Sequence, residues 1–225
     1  MNRPSLRTEE MHELERAHVE YFPENGFPIK GIVHVGANTG QEIPWYLCHY
    51  YLPIIAFEPH PVAFKELHRI YGRFALCSPF ALGDENKPLT LHIPEDGDHE
   101  KSSKYLPIET EGHDWTKIPV TQEISVPMVR FDTWFKNHNN LVMIESYNTL
   151  VIDAQGMELE VLKGFGSLLS AFAFLVVECS ATPVYDGEAS AQEVIDFLST
   201  KGYMKLTPIE EHDDIYFKKR GLWDR

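Results

Sequence analysis

The chain has 225 residues, 43% of them apolar and 12% aromatic, enough to bury one substantial core in a single domain. Its 34 acidic against 20 basic side chains give a formal charge of −14, which opposes long-range attraction to nucleic acid or to an anionic membrane surface. The three cysteines, Cys48, Cys77 and Cys179, form no CxxC pair, and neither a signal peptide nor a bilayer-spanning run is visible, so a cytoplasmic protein with reduced thiols and no membrane insertion is expected.

Met11, Leu14, His18 or Val19, and Phe22 recur at helical spacing among Glu and Arg, predicting an amphipathic helix over 8–22 in an N-terminal extension, 1–30, ahead of one domain, 31–225. Next come a strand (31–35), a helix (41–51), a strand (54–58), a helix (61–71) and a strand (74–82). Pro61 suits the first turn of the second helix and Gly72 closes it. This alternation predicts an α/β fold, a mostly parallel central sheet with helices on both faces. After Asp84 the pattern changes to short strands at 89–93 and 124–129, read as a hairpin-like insertion whose long loop covers 94–119. The parallel pattern returns with a strand (149–153), a helix (158–164), a strand (172–178) and a helix (190–200), and a terminal antiparallel pair follows (203–207 and 214–218).

The strand at 31–35 runs into a G-x-x-x-G turn, Gly36 to Gly40, where the absence of a Cβ lets the backbone turn sharply and approach a ligand. Glu58, 22 positions after Gly36, falls at the tip of the next strand, where a carboxylate can accept both hydroxyls of a ribose. Glu58, Asp153 and Glu178 each end a predicted strand, so these acids are expected round one crevice at the carboxyl edge of the sheet.

Six segments resemble the FkbM-type family of S-adenosylmethionine-dependent methyltransferases. They are VHVGANTGQE around 34–42, AFEPHP at 56–61, ALGDENKPLTLHI at 81–93, the serine pair at 102–103, YNTLVIDAQGMELEVLKG at 147–164 and VVECSATPVYDGEAS at 176–190. The resemblance implies a class I Rossmann-like fold and S-adenosylmethionine as cofactor. It also implies cofactor contacts from Gly36, Ala37, Asn38 and Gly40 in the turn, from Glu58 to the ribose, from Asp84 near the adenine edge and from Asp153 beside the methionine ammonium and the transferred methyl. Ser102 and Ser103 match a serine cluster assigned to the substrate side. His34 departs from the pattern, since many members carry Asp there; an imidazole replaces a carboxylate less well as an acceptor, unless the ring simply packs with a satisfied nitrogen.

Methyl transfer to a hydroxyl needs an aligned acceptor, excluded water and a base. Asp153 and Glu178 are the candidate bases, with a helix cap or a loop-cation partner as the plainer role for Glu178. The histidines show no HxH or HxxxH spacing and there is no dedicated metal motif, although Asp153 with Glu178 could contribute to a carboxylate-held divalent ion. Tyr185 would line the acceptor pocket or cover the core edge, and the loop at 94–119 would close as a lid carrying Ser102 and Ser103. The acceptor class that the resemblance implies is a small molecule or glycan: a hydroxyl on a sugar, glycan or secondary metabolite. Two alternatives stand beside it, a nicotinamide-dependent oxidoreductase, which Asn38 disfavours by standing where a second glycine is wanted, and a catalytically silent cofactor-binding module.

Overall fold

A computed structural model of the chain describes residues 29–49, 52–95, 101–108, 117, 119–209 and 212–221. The expected N-terminal helix, the extension over 1–28 and most of the loop at 94–119 lie outside the described residues.

The first half is built from β1 (Ile32–Val35), α1 (Ile43–His49), β2 (Ile54–Phe57), α2 (Pro61–Tyr71), β3 (Leu76–Ser78), β4 (Ala81–Leu82), β5 (Lys87–Pro94) and β6 (Val120–Val129). The second half adds α3 (Phe131–His138), β7 (Thr149–Ile152), α4 (Glu158–Gly164), β8 (Phe174–Ser180), α5 (Ala191–Thr200), β9 (Tyr203–Lys205) and β10 (His212–Lys219). Seven strands make the main sheet in the order β3-β2-β1-β7-β8-β10-β9. Its first five strands are mutually parallel, and β10 runs antiparallel to both β8 and β9. Chain order reverses at β1, which pairs with β2 on one side and β7 on the other, so the crevice for a ligand opens above the carboxyl ends of these three strands.

Both faces of the sheet are covered, as a parallel sheet requires. Alternation along β1 and β2 sends Val33, Val35, Ile55 and Phe57 to one face, against Phe131 and Trp134 of α3, Val161 and Leu162 of α4 and Leu198 of α5. Ile32, Ile54 and Ala56 face the other way, against Ile43 and Tyr46 of α1 and Leu67 of α2. Helix ends follow local chemistry: His60 caps α2 ahead of Pro61, and Ser190 with Glu193 forms a reciprocal capping box on α5.

Four differences from the sequence reading have physical causes. The strand expected over 74–82 is two short strands in two sheets, because Pro79 interrupts the backbone donors between them. The insertion is antiparallel, as its hairpin-like pattern implied, but β5 and β6 are longer than expected and join β4 in a separate three-stranded sheet. The helix α3 is additional; Phe131, Trp134 and Phe135 carry its helical spacing, and Phe131 stacks on Phe165 at 4.1 Å between ring centres. Finally, β8 runs on to Ser180 because β10 pairs with it as far as that residue, so Glu178 lies inside the strand, opposite Asp214, rather than at its end.

The carbonyl of Gly83, in the loop after β4, meets α4 where Gly164 has no side chain: a Cβ there would lie 2.0 Å from the Gly83 oxygen. Gly164→Ala should therefore lower unfolding stability by roughly 1–3 kcal/mol through overpacking. Urea unfolding would register this as a lower midpoint at unchanged slope.

Candidate active site

The turn after β1 is set by close backbone approach. Gly36 has φ +81°, and a Cβ on it would lie 1.6 Å from the carbonyl oxygen of Asp153. No side chain fits, so glycine allows the ends of β1 and β7 to meet. The amides of Gly36 and Ala37 both donate to the Phe57 carbonyl, at 3.0 and 2.9 Å, tying the turn to β2. Asn38 adopts φ +44°, and its backbone amide donates to Glu58 Oε2 at 2.8 Å, while the amide of His60 donates to Glu58 Oε1 at 2.6 Å. Burial raises the Glu58 carboxyl to about 7, and the two amides act in the opposite sense by favouring its ionised form.

A second constellation follows β7. Gln155 and Gly156 both have positive φ, +49° and +94°, and Glu158 Oε1 accepts the amides of Ala154 and Gly156 at 3.0 and 3.1 Å, fixing the turn from the start of α4. Burial raises Glu158 to about 8. The Gln155 amide group donates to Asp153 Oδ1 at 2.6 Å and to Glu178 Oε2 at 3.0 Å, and its Oε1 accepts the Tyr185 hydroxyl at 2.7 Å. Burial, together with the Glu178 charge, pushes the Asp153 carboxyl well above the usual carboxylate range.

These two constellations face each other across a cavity of about 300 Å³. Gly36, Asn38, Glu58, Ser102, Asp153 and Glu178 line it. Ala37 and Gly40 are buried in the turn and are not in the lining; Gly40 packs on Leu67 and Tyr71. Asp84 is not brought to the cavity: it follows Gly83 on the α4 side, where its carbonyl accepts from Arg130 at 2.9 Å, and Phe80, Ala81 and Leu82 form that part of the wall instead. Ser103 and Tyr185 also stand behind the lining. The Ser103 hydroxyl donates to the Gln155 carbonyl at 2.6 Å, and Tyr185 supports the Gln155 amide.

His34 is buried under α1, with Nδ1 3.2 Å from the Tyr46 hydroxyl, and does not line the cavity. The described part of the insertion is a wall rather than a free-standing lid. Ser103 exchanges backbone hydrogen bonds with His92, Ile108 donates to the Val184 carbonyl, and Lys104 and Tyr105 both bond Glu160. Sequence reasoning missed Gln155 as a contact-maker, although the D-x-Q-G-x-E spacing marked its turn. It also missed the apolar wall of Leu82, Leu89 and Leu91, whose signal was the alternation in β5. Among the described residues no group of three or more His, Cys, Asp or Glu is placed to hold a metal ion. Nor is any described helix long and apolar enough to cross a membrane.

A reversed parallel sheet with a glycine turn, a buried acid after β2 and a second acid after β7 agrees with an S-adenosylmethionine-dependent methyltransferase, and the family match shows that class. The chain belongs to the FkbM methyltransferase domain family, whose model matches residues 34–204. Among curated proteins, the 2-O-methyltransferase NoeI of Sinorhizobium fredii (strain NBRC 101917 / NGR234) is 24% identical over 201 residues, covering 85% of this chain and 80% of that protein. Among solved structures, magnesium protoporphyrin IX methyltransferase (ChlM) from Synechocystis PCC 6803 with bound SAM superposes with a TM-score of 0.49 at 8% identity, over 93% of this chain and 79% of that one. Fibrillarin from Aeropyrum pernix with bound S-adenosyl-L-methionine gives 0.49 at 12%, over 91% and 74%. Family membership sets aside the nicotinamide-dependent alternative.

The residues present fit the cofactor. Each carboxylate oxygen of Glu58 has accepted one amide and keeps a second lone-pair direction for a ligand hydroxyl. The floor at Gly36 is bare backbone, and Phe80, Leu82 and Leu91 offer apolar surface for a planar base.

Glu158 gives a pH-dependent outcome. Its folded-state value of about 8 lies above the ordinary 4.5, so the folded protein binds this proton more tightly and its contribution to stability declines as pH rises through that window. Glu158→Gln keeps an acceptor for the Ala154 and Gly156 amides and removes the titration. Between pH 5 and 7 the decline in unfolding free energy should be shallower in the variant by up to about 1.4 kcal/mol per pH unit, measured by urea titration.

Proposed function

We propose that this methyltransferase methylates a hydroxyl oxygen on a sugar, a glycan or a secondary metabolite. The observation that carries the reading is the half-buried Asp153–Glu178 carboxyl pair at the cavity wall, because an alcohol needs a nearby proton acceptor as its oxygen attacks carbon. The name of the curated relative, which places its methyl group on an oxygen, supports the same class. The surplus of 34 acidic over 20 basic side chains supports a small or glycan acceptor over nucleic acid. The three cysteines, all free thiols, support a reducing, cytoplasmic setting.

The cofactor supplies an electrophilic methyl on a sulfonium. Glu58 binds the ribose hydroxyls, and the Gly36 to Asn38 turn lets the methionine portion approach backbone. Asp153 balances positive charge at the end of β7. Ser102, whose hydroxyl is buried in the lining with no partner among the described residues, orients the acceptor by a hydrogen bond. Glu178 takes the acceptor's proton as the new O–C bond forms and the S–C bond breaks, and the apolar wall keeps bulk water from competing.

Incubation with methyl-labelled S-adenosylmethionine and fractionated host extracts should place label in a base-stable methyl ether on a saccharide or hydroxylated small molecule. Label in protein, nucleic acid or a base-labile ester would sink the reading. Glu178→Gln should slow transfer by roughly 10²–10⁴-fold, the usual worth of a general base. Glu58→Ala should instead weaken cofactor binding by roughly 10–150-fold, corresponding to about 1.5–3 kcal/mol of charge-assisted hydrogen bonding, and by more than Glu178→Ala does. Calorimetry on both variants would expose a reversed order.

A further inference from the structure

Gln155 is the most heavily used side chain of the site, and neither the fold nor the family assignment gives it a role. Its left-handed backbone, φ +49°, is held by Glu158 on the amides either side of it, those of Ala154 and Gly156, and by the Ser103 hydroxyl on its own carbonyl. The Tyr185 hydroxyl then orients the side chain by donating to Oε1. That leaves the amide nitrogen, with exactly two hydrogens to give, aimed at two different carboxyl groups, Asp153 at 2.6 Å and Glu178 at 3.0 Å. The opposite amide orientation would set an oxygen against both acids, so the donor assignment follows from the partners.

Asp153 and Glu178 thus meet on one nitrogen, which sets the two carboxyl groups side by side. Like charges that close disfavour ionising both, so the pair holds one proton. The neighbours reinforce that need. Glu188 from the loop before α5 and Asp214 from β10 opposite Glu178 add negative charge, and Glu158 from α4 adds it above about pH 8. Tyr185 and Cys179 lie close by as buried groups raised by burial and further by these acids. The cations of the lining, Lys101 and Lys104, come from the insertion, and Lys104 is engaged by Glu160 at 3.3 Å. S-adenosylmethionine carries both a sulfonium and an ammonium against one carboxylate. Bringing that net positive charge into a cavity walled by Glu42, Glu58, Asp153 and Glu178 favours the fully ionised form of any acid that still holds a proton.

We propose that Gln155 is a positioning residue that clamps Asp153 and Glu178 into a carboxyl pair holding one proton, and that S-adenosylmethionine binding expels that proton. The bookkeeping is simple: one proton leaves the pair for solvent, one net positive charge enters, and no covalent bond changes. Two consequences follow for the reaction. The pair is a full acceptor of protons only once the cofactor is in place, so hydroxyl activation is confined to the loaded enzyme. Cofactor affinity rises with pH until the pair is ionised in the free protein as well.

The test needs no acceptor, so it stands apart from the assignment of acceptor class. Calorimetric titration of the full chain with S-adenosylmethionine at pH 7, in phosphate and in Tris, counts protons from the difference in observed heat. Release of roughly 0.5–1 proton per cofactor is expected. Glu178→Gln, whose amide can bond Asp153 without a titrating proton, should remove most of the release, whereas Glu58→Gln should keep most of it. Gln155→Leu removes both donors, so the pair should hold its proton more tightly: the pH at which release is half-maximal rises by about one unit and affinity at pH 7 falls about tenfold. Identical heats in the two buffers for the unmodified protein would overturn the proposal without reference to any variant. Loss of release in Glu58→Gln with retention in Glu178→Gln would overturn it by assigning the proton to the other acid. A Gln155→Leu protein with an unshifted release profile would remove the clamp.

Discussion

The closest constraint in the molecule is the meeting of two backbones, Gly36 against the carbonyl of Asp153, at a separation no Cβ could enter. It draws the ends of two neighbouring parallel strands together just where the chain order of the sheet reverses. Two acid-bearing turns of the cavity start at this junction: the turn that carries Asn38 toward Glu58 leaves from one side, and the Asp153 to Glu158 turn leaves from the other. An alanine at 36 would have both excess volume and an unfavourable φ, so relaxation at one strand end would have to move the other. The distance between the two acid-bearing turns is therefore a property of the sheet and not of side-chain choice in the loops.

Concentrating acids around such a junction is costly, and the structure shows three ways of meeting the cost. Glu58 takes two backbone amides, which favours its charge. Glu158 also takes two amides, and at both acids burial outweighs them, more so at Glu158. Asp153 and Glu178 have a side-chain amide between them instead, and repulsion between two close carboxyls adds to desolvation. All three solutions leave a carboxyl raised above its ordinary value, so positive charge entering the cavity favours ionisation of each acid that it faces.

Legibility in the sequence followed locality. The glycine turn, Glu58 and the strand-helix alternation could be read because each depends on residues within one βαβ unit, where spacing sets geometry. The helix at 131–138 could have been read in the same way, since Phe131, Trp134 and Phe135 supply its apolar face; its shortness and the break at Asn139 blurred the period. Asp84, Ser103 and Tyr185 depend instead on long-range packing. Asp84 is turned from the cavity because Gly83 docks on α4 at Gly164, a contact 81 positions apart in the chain that no local pattern encodes. Ser103 was recognisable as part of a polar pair, but which of two adjacent serines faces the cavity depends on a single bridge to His92. A one-residue change of register there exchanges their faces.

The same bridge explains why the described part of the insertion is a wall. Residues 101–108 have no long regular element of their own, and they are held at both ends by borrowed pairings, to His92 in β5 and to Val184 and Tyr185 beyond β8. Between those anchors, Lys104 and Tyr105 reach Glu160 on α4. The segment thus straps the small antiparallel sheet to the loop that presents Tyr185, and Tyr185 in turn bonds Gln155. Ser103, next to the lining residue Ser102, and the two acids are consequently ends of one connected set of hydrogen bonds. A sequence change in the insertion can reach Asp153 and Glu178 without touching either, through Ser103 on the Gln155 carbonyl.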